Sequence, residues 1–408
     1  MGQISAQGEQ FETHVIADKY GNLVDYGIDS GEVDAFGRKR VSTPYTLFDS
    51  TMRYDKRTDQ WYEITAGGAT TNFLTNASTL ELKTTTASGD SVLRRTKQNF
   101  PYQPGKSLMI LQSFIGSPLS SGLVQEIGPF NDQNGIMVRA SGTTVQFVIK
   151  SFATGSVVEN VASQSEWNIN TLPSLDFSKA QIFATDLEWL GVGRVRCGFV
   201  IDGEIKYCHE FKHANNISSV YMQTAILPLS YRMANTTAQA SGRTLQQICC
   251  SVLSEGGYEP DGAIYSISQS LASVPNTSGE RLSAGIRMAS GRTGNVILPA
   301  KIDVAVSTAD VVVWRLRLNP TVSGVTWGAA TNGRGNVETT TSATTISGGT
   351  IVNTGIVSQG QSTNLSIDTA IRLSLGVNAS GQSDTLMLTV DSDAAAKVVG
   401  QLGWVEVV

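Results

Sequence analysis

Residues 194–213 read RVRCGFVIDGEIKYCHEFKH. Two runs rich in Val, Ile, Phe and Tyr flank Asp202-Gly203, a dipeptide favoured in two-residue hairpin loops because both residues tolerate positive φ. The spacing predicts a hairpin in which Ile201 faces Glu204. The return run ends in His209-Glu210-Phe211-Lys212-His213, which spells H-E-x-x-H. On a helix that pattern sets two imidazoles one turn apart over a metal, with a glutamate to activate water. On a strand, residues four apart are separated by roughly 13 Å at a rise of about 3.3 Å per residue. Two imidazoles at that span cannot share a zinc whose bonds are about 2 Å long. Ile205, Tyr207, His209 and Phe211 also alternate as one strand face does, so the motif reads as a strand with partly exposed histidines. Counting outward from the loop sets Cys197 directly opposite Cys208, at a hydrogen-bonded pair with a Cα separation of about 5.5 Å. A reducing site of synthesis predicts two thiols there, packed as small apolar groups.

The same pattern continues outward. GIMVRASGTTVQFVIKSF (135–152) holds two apolar runs around Ser141-Gly142, a second hairpin signal. Forty glycines and 16% charged residues suit short strands and tight turns better than long helices. The predicted architecture is all-β. An extended arm spans 1–60, a central jelly-roll-like β-sandwich 61–260, and a smaller C-terminal β-sandwich 261–408. The arm has little apolar periodicity and many turn formers, so it gains stability only by lying on its own body or on a neighbour. Between Asn319 and Asn364 only Arg334 and Glu338 are charged. The flanking alternations Ile371, Leu373, Leu375, Val377 and Leu386, Leu388, Val390 predict strands on either side of a turn at 379–381. Residues 244–254 fit a helix and a strand equally well.

Composition excludes several functions. A net charge of −5 leaves no basic surplus to displace counterions from phosphate, so no nucleic-acid partner is expected. Four cysteines without a C-x-x-C pair form neither a disulfide scaffold nor a zinc cluster. The N-terminus lacks an apolar signal core, Ala6 breaks a myristoylation pattern, and no stretch reaches membrane-span length. The expectation is a protein folded in a cytoplasm, with no membrane partner.

Other candidate sites carry less. Gly191-Val192-Gly193 lacks the third glycine and the helix of a nucleotide loop and reads as a strand entry or bulge. Glu255 and Glu259 are nominal third metal ligands that nothing brings to the histidines. Asp391 and Asp393 read as a solvated turn, not a carboxylate pair for glycoside chemistry. Trp61, Tyr62, Trp167, Trp189, Trp314 and Trp327 are candidate sugar platforms, with core packing the default. No catalytic residue, metal ligand or cofactor is assigned.

Six phrases in order carry a resemblance: DAFGRKRVSTPYTLFDS (34–50), RRTKQNFPYQPGKS (94–107), IGPFNDQNGI (127–136), LDFSKAQIFATDLEWLGVGRVRCGFVIDG (175–203), HEFKHANN (209–216) and SEGGY (254–258). Over roughly residues 30–260 the chain resembles virion structural proteins of tailed bacteriophages and large double-stranded DNA viruses. That resemblance implies a non-enzymatic, oligomeric, β-rich component of the capsid surface or of the tail or collar apparatus, residing in the virion after assembly in the host cytoplasm. Its implied partners are other copies of itself and, through the arm, neighbouring capsid or tail proteins. The C-terminal third carries no such phrase and is expected to be a variable, outward-facing module. The alternative is a receptor- or glycan-binding tail fibre or spike, with or without depolymerase activity, whose C-terminal module meets a host surface glycan.

Overall fold

The computed structural model describes residues 3–6, 9–12, 34 and 44–407, apart from 260–262, 271, 273, 293, 308–310 and 367–372. Among these the protein is all-β, and its one named helical element is the 3₁₀ turn Gln164–Glu166. Most of the predicted arm lies outside the described residues. Within it, Gln3–Ala6 pairs with Glu9–Glu12. Tyr45–Thr51 is already part of the body, paired antiparallel to the far half of Arg243–Glu255. Asp34 is buried, and its carbonyl accepts from Arg194 Nη2 at 3.4 Å.

Two antiparallel sheets make the central sandwich. One has seven strands in the order Val158–Ser163, Thr144–Ser151, Gly135–Ser141, Leu123–Pro129, Leu229–Asn235, Ser91–Thr96 and Trp61–Ala66. The other runs Glu204–Phe211, Val195–Ile201, Ala180–Leu187, Ser107–Ile115, Arg243–Glu255, Thr79–Thr84 and Thr70–Leu74, with Tyr45–Thr51 added alongside Arg243–Glu255. Residues 244–254 are therefore strand. Alternation sends Val145, Phe147 and Ile149 inward from one sheet and Phe183, Val195 and Phe199 inward from the other. Phe147 stacks on Trp167 with ring centroids 4.2 Å apart. Full burial of each such aromatic stabilises the fold by about 1.5–3 kcal/mol.

A second pair of sheets follows. One comprises Ile264–Ser268, Ala396–Val407, Val296–Val306 and Ser362–Ser366, with Asn276–Thr277 paired to Ala396–Val407. Its companion runs Gly328–Ala329, Val337–Thr340, Arg281–Met288, Thr385–Ser392, Val311–Leu318 and Thr350–Ser358. Trp314, Leu316, Leu388, Val390 and Trp404 form the core between them. Leu386, Leu388 and Val390 lie on a strand as predicted. Leu373 and Leu375 do not: they are irregular, Val377 makes a single bridge to Ser383, and Ile371 lies outside the described residues. The alternating side chains still enter the second core, Leu375 buried with Leu373 and Val377 against it. The backbone, however, bonds to partners on both sandwiches instead of to one ladder, with Leu375 N donating to Ile297 O at 3.0 Å. Val377 N donates to Lys97 O at 2.9 Å and Gln98 Nε2 to Ser374 O at 3.1 Å.

The 194–213 hairpin forms around Asp202-Gly203, with φ of +54° and +83° and Ile201 opposite Glu204. The second hairpin closes with Ser141 opposite Thr144, one residue later than its sequence signal. Further from the first turn the predicted register fails. Gly198 faces Tyr207, but the next residue, Cys197, faces His209, so Cys208 is the extra residue of a β-bulge. Cys197 does not stand directly opposite Cys208. The reason lies at Gly198, where an added Cβ would sit 2.2 Å from Lys206 O and 2.7 Å from Tyr207 Cα. The strands approach too closely there for any side chain. The bulge also breaks the predicted alternation. Tyr207 joins Asp186 and Arg196 on the outer face, whereas Cys208 and Phe211 belong to the core.

Candidate binding groove at the sandwich edge

The H-E-x-x-H motif closes the edge strand Glu204–Phe211, with Lys212 and His213 just beyond it. Both histidines are buried, not partly exposed as the sequence suggested, because the bulge rotates His209 inward and a turn covers His213. His213 Nδ1 donates to Gly193 O at 2.6 Å, and its ring stacks on Tyr221 at 4.0 Å. His209 points the other way, into a groove of about 360 Å³ that it shares with residues of Val158–Ser163 and of the 164–168 segment. The motif thus splits its two imidazoles between different surroundings. Among the described residues, no group of three or more His, Cys, Asp or Glu is placed to hold a metal.

The groove is the mouth of the sandwich, where the edge strands of the two sheets face each other. Asn160 and Ala162 lie opposite Ile149 and Phe147, hence on the inner face of their strand. Phe211 lies opposite Val195, on the inner face of the other sheet. Gln164–Glu166 and Trp167 bridge the two edges, and Glu166 Oε2 caps the 3₁₀ turn by accepting from Ser163 N at 2.8 Å. Asn168 then substitutes for a missing strand. Its Oδ1 accepts from Glu210 N at 2.9 Å and its Nδ2 donates to Glu210 O at 3.0 Å. Asn168 N donates to His209 Nδ1 at 3.3 Å, which fixes the neutral tautomer with its proton on Nε2.

Charge in and behind the groove is paired. Glu210 meets Arg194 at 3.5 Å and also Lys212. Burial holds the His209 and His213 imidazoles below the ordinary histidine value. Burial also pushes the Cys208 thiol up to about 12 and raises Cys197 well above its usual range. All four cysteines are free. A neutral imidazole, an ion-paired carboxylate and a capping carboxylate can orient a polar ligand. They supply no activated nucleophile.

The remaining sequence candidates are structural. Gly191 has φ of +77° in a turn where Gly193 N bonds Trp189 O at 2.8 Å, so Gly191–Gly193 forms no phosphate loop. Glu255 accepts from Ser107 Oγ and Glu259 N donates to Gln103. Asp391 pairs with Arg315 at 2.9 Å, while Asp393 is exposed. Trp61, Trp167 and Trp314 are buried; Tyr62, Trp189 and Trp327 are half-buried, with Arg287 4.5 Å over the Trp327 ring.

Sequence reasoning missed the ion pairs. On the outer face of the seven-stranded sheet, Glu126 bridges Arg232 and Arg139, and Arg139 grips Glu159 with two bonds of 2.7 Å. Burial alone would raise the Glu126 carboxyl, but Arg232 and Arg139 outweigh it and hold the group below its usual range. Arg139 covers Met137 beneath it. On the other sheet Arg196 and Asp186 are fully buried and 2.5 Å apart, with Tyr207 OH donating to Asp186 at 2.7 Å. The available signal was a lone charge inside an apolar run, as in GIMVRAS and VRCGFV.

No protein-family profile matches the chain, and no curated protein matches it. Solved structures show distant likeness to about half of it. A protein of unknown function from Shewanella oneidensis MR-1 is 10% identical, with TM-score 0.35, covering 53% of this chain and 88% of that one. A glycosyl hydrolase family protein from Mycobacterium fortuitum is 8% identical, with TM-score 0.38 and coverages of 51% and 99%. A legume lectin-like domain from Entamoeba histolytica is 7% identical, with TM-score 0.33 and coverages of 52% and 98%. Likeness at this level carries no functional argument.

Proposed function

We propose that this chain is a non-enzymatic building block of a virus particle, an oligomeric component of the capsid surface or of the tail or collar apparatus. The observation that carries the reading is the fate of the chemical groups. Most of the acids and bases offered by the sequence are tied into hydrogen bonds and ion pairs: His209 with Asn168, His213 with Gly193, Glu210 with Arg194 and Lys212, and Asp391 with Arg315. Two further features support it. Asp34, inside the predicted arm, is buried, and its carbonyl meets Arg194 of the body. Open edge strands offer self-complementary surface: Val158 is 52% exposed on one edge and Ile356 70% on another. The phrases between 34 and 258 supply the virion context.

The test is quantitative mass spectrometry of gradient-purified particles, paired with a reducing-end assay of the purified protein on polysaccharides. The chain should sediment with particles at a fixed ratio to the major shell protein and release no reducing ends. A chain confined to the soluble lysate, or one that turns over polysaccharide, would overturn the proposal.

A further inference from the structure

We infer that the groove between Val158–Ser163 and Glu204–Phe211 binds a sugar residue of a glycan, through the inward His209 imidazole and the Asn160 amide over a floor of Ala162 and Phe211. His209 is only 9% exposed. Its Nδ1 accepts from Asn168 N, so the ring proton sits on Nε2, a donor that a ligand would share with the nearby Glu166 backbone carbonyl. Phe211 meets the imidazole edge-on at 4.4 Å and fixes its plane. Glu166 spends Oε2 on the Ser163 backbone, leaving Oε1 as an acceptor beside the same space. Asn160 contributes both an amide donor and an acceptor from an exposed position.

This assortment discriminates among ligands. Groups that donate and accept around a small apolar floor suit a ring with hydroxyls at its rim and C–H groups on one face. Lys212 in the lining is taken up by Glu210, and Glu166 leaves the groove net negative, which disfavours phosphate. A peptide adding as a strand along Glu204–Phe211 would find the N–H and C=O of Glu210 already taken by Asn168. The location also differs from the C-terminal module, where the sequence placed any glycan contact. The site belongs to the isolated subunit, so its failure would leave the particle proposal untouched.

The probe is a panel of methyl glycosides of glucose, galactose, mannose and N-acetylglucosamine, at millimolar concentration with the full chain, read by saturation-transfer NMR. At least one glycoside should receive transfer. Asn160→Trp, at an exposed position that leaves the melting temperature unchanged, should abolish it by filling the mouth. His209→Phe keeps the ring and removes the donor, and should weaken binding roughly tenfold. Absence of transfer to every glycoside, or transfer that survives Asn160→Trp, would overturn the inference.

Discussion

Replacing Gly198 by alanine probes the bulge that sets the groove. The new Cβ would lie 2.2 Å from Lys206 O and 2.7 Å from Tyr207 Cα, against ordinary contact at 3.4 Å or more. Both obstacles are backbone, so no side chain can swing away, and the two strands must part by about 1 Å. Overpacking of this kind costs about 1–3 kcal/mol. Each ladder hydrogen bond stretched beyond use adds about 1 kcal/mol. Restricting the unfolded chain returns about 0.4–1 kcal/mol. The expected net loss is about 2–3 kcal/mol. Gly203→Ala is the control: its Cβ would meet nothing within 4 Å, and only the φ of +83° penalises it, by about 1–2 kcal/mol. Urea unfolding of both variants, with hydrogen exchange of the 195–211 peptide, reads the difference. Gly198→Ala should be the less stable and should lose protection across the hairpin. Equal stability, or Gly203→Ala the weaker, would refute the close approach and with it the bulged register.

Three further outcomes follow from the buried charges and the arm. Asp186→Asn should cost about 3–5 kcal/mol in urea unfolding by stranding a fully buried Arg196, whereas Asp186→Leu with Arg196→Met should cost distinctly less; a double variant as damaged as the single one would contradict this. Burial depresses the folded-state values of His209 and His213, so the unfolded chain takes up protons first as pH falls. Stability is intact above about 6.5 and declines below it; thermal melts from pH 8 to 5 should show the decline, and His213→Phe, which keeps the stack on Tyr221, should flatten it. Removing residues 1–30 should leave a folded body, by circular dichroism, that no longer enters particles in a complementation assay; normal incorporation would remove the arm from the assembly proposal.

The strands were legible because their patterns are local. Asp202-Gly203 announced its turn, and the strand geometry of His209–Phe211 argued against a shared zinc. The register beyond Gly198 was not legible, since a bulge depends on how near two backbones come, and counting from the turn assumes a uniform ladder. The inward turn of His209 followed from that bulge and was hidden with it. The role of Asn168 was equally invisible, because an amide that completes an edge is recognisable only once the edge exists. Leu373 and Leu375 show the opposite error: the alternation did mark side chains for the second core, but the backbone that carries them runs irregularly instead of in a sheet.

The pairing of Tyr45–Thr51 with Arg243–Glu255 has a consequence for synthesis. Thr51 meets Cys249 and Tyr45 meets Ser254, a separation of roughly 200 residues. At ~5–20 residues per second, the early strand leaves the ribosome about 10–40 s before its partner exists. Throughout that interval Leu47 and Phe48 have no sheet to join, so the nascent chain carries an uncommitted strand through much of its translation. Completion of this sheet therefore follows synthesis of nearly the whole first sandwich, and crowded expression should trap the chain at that stage.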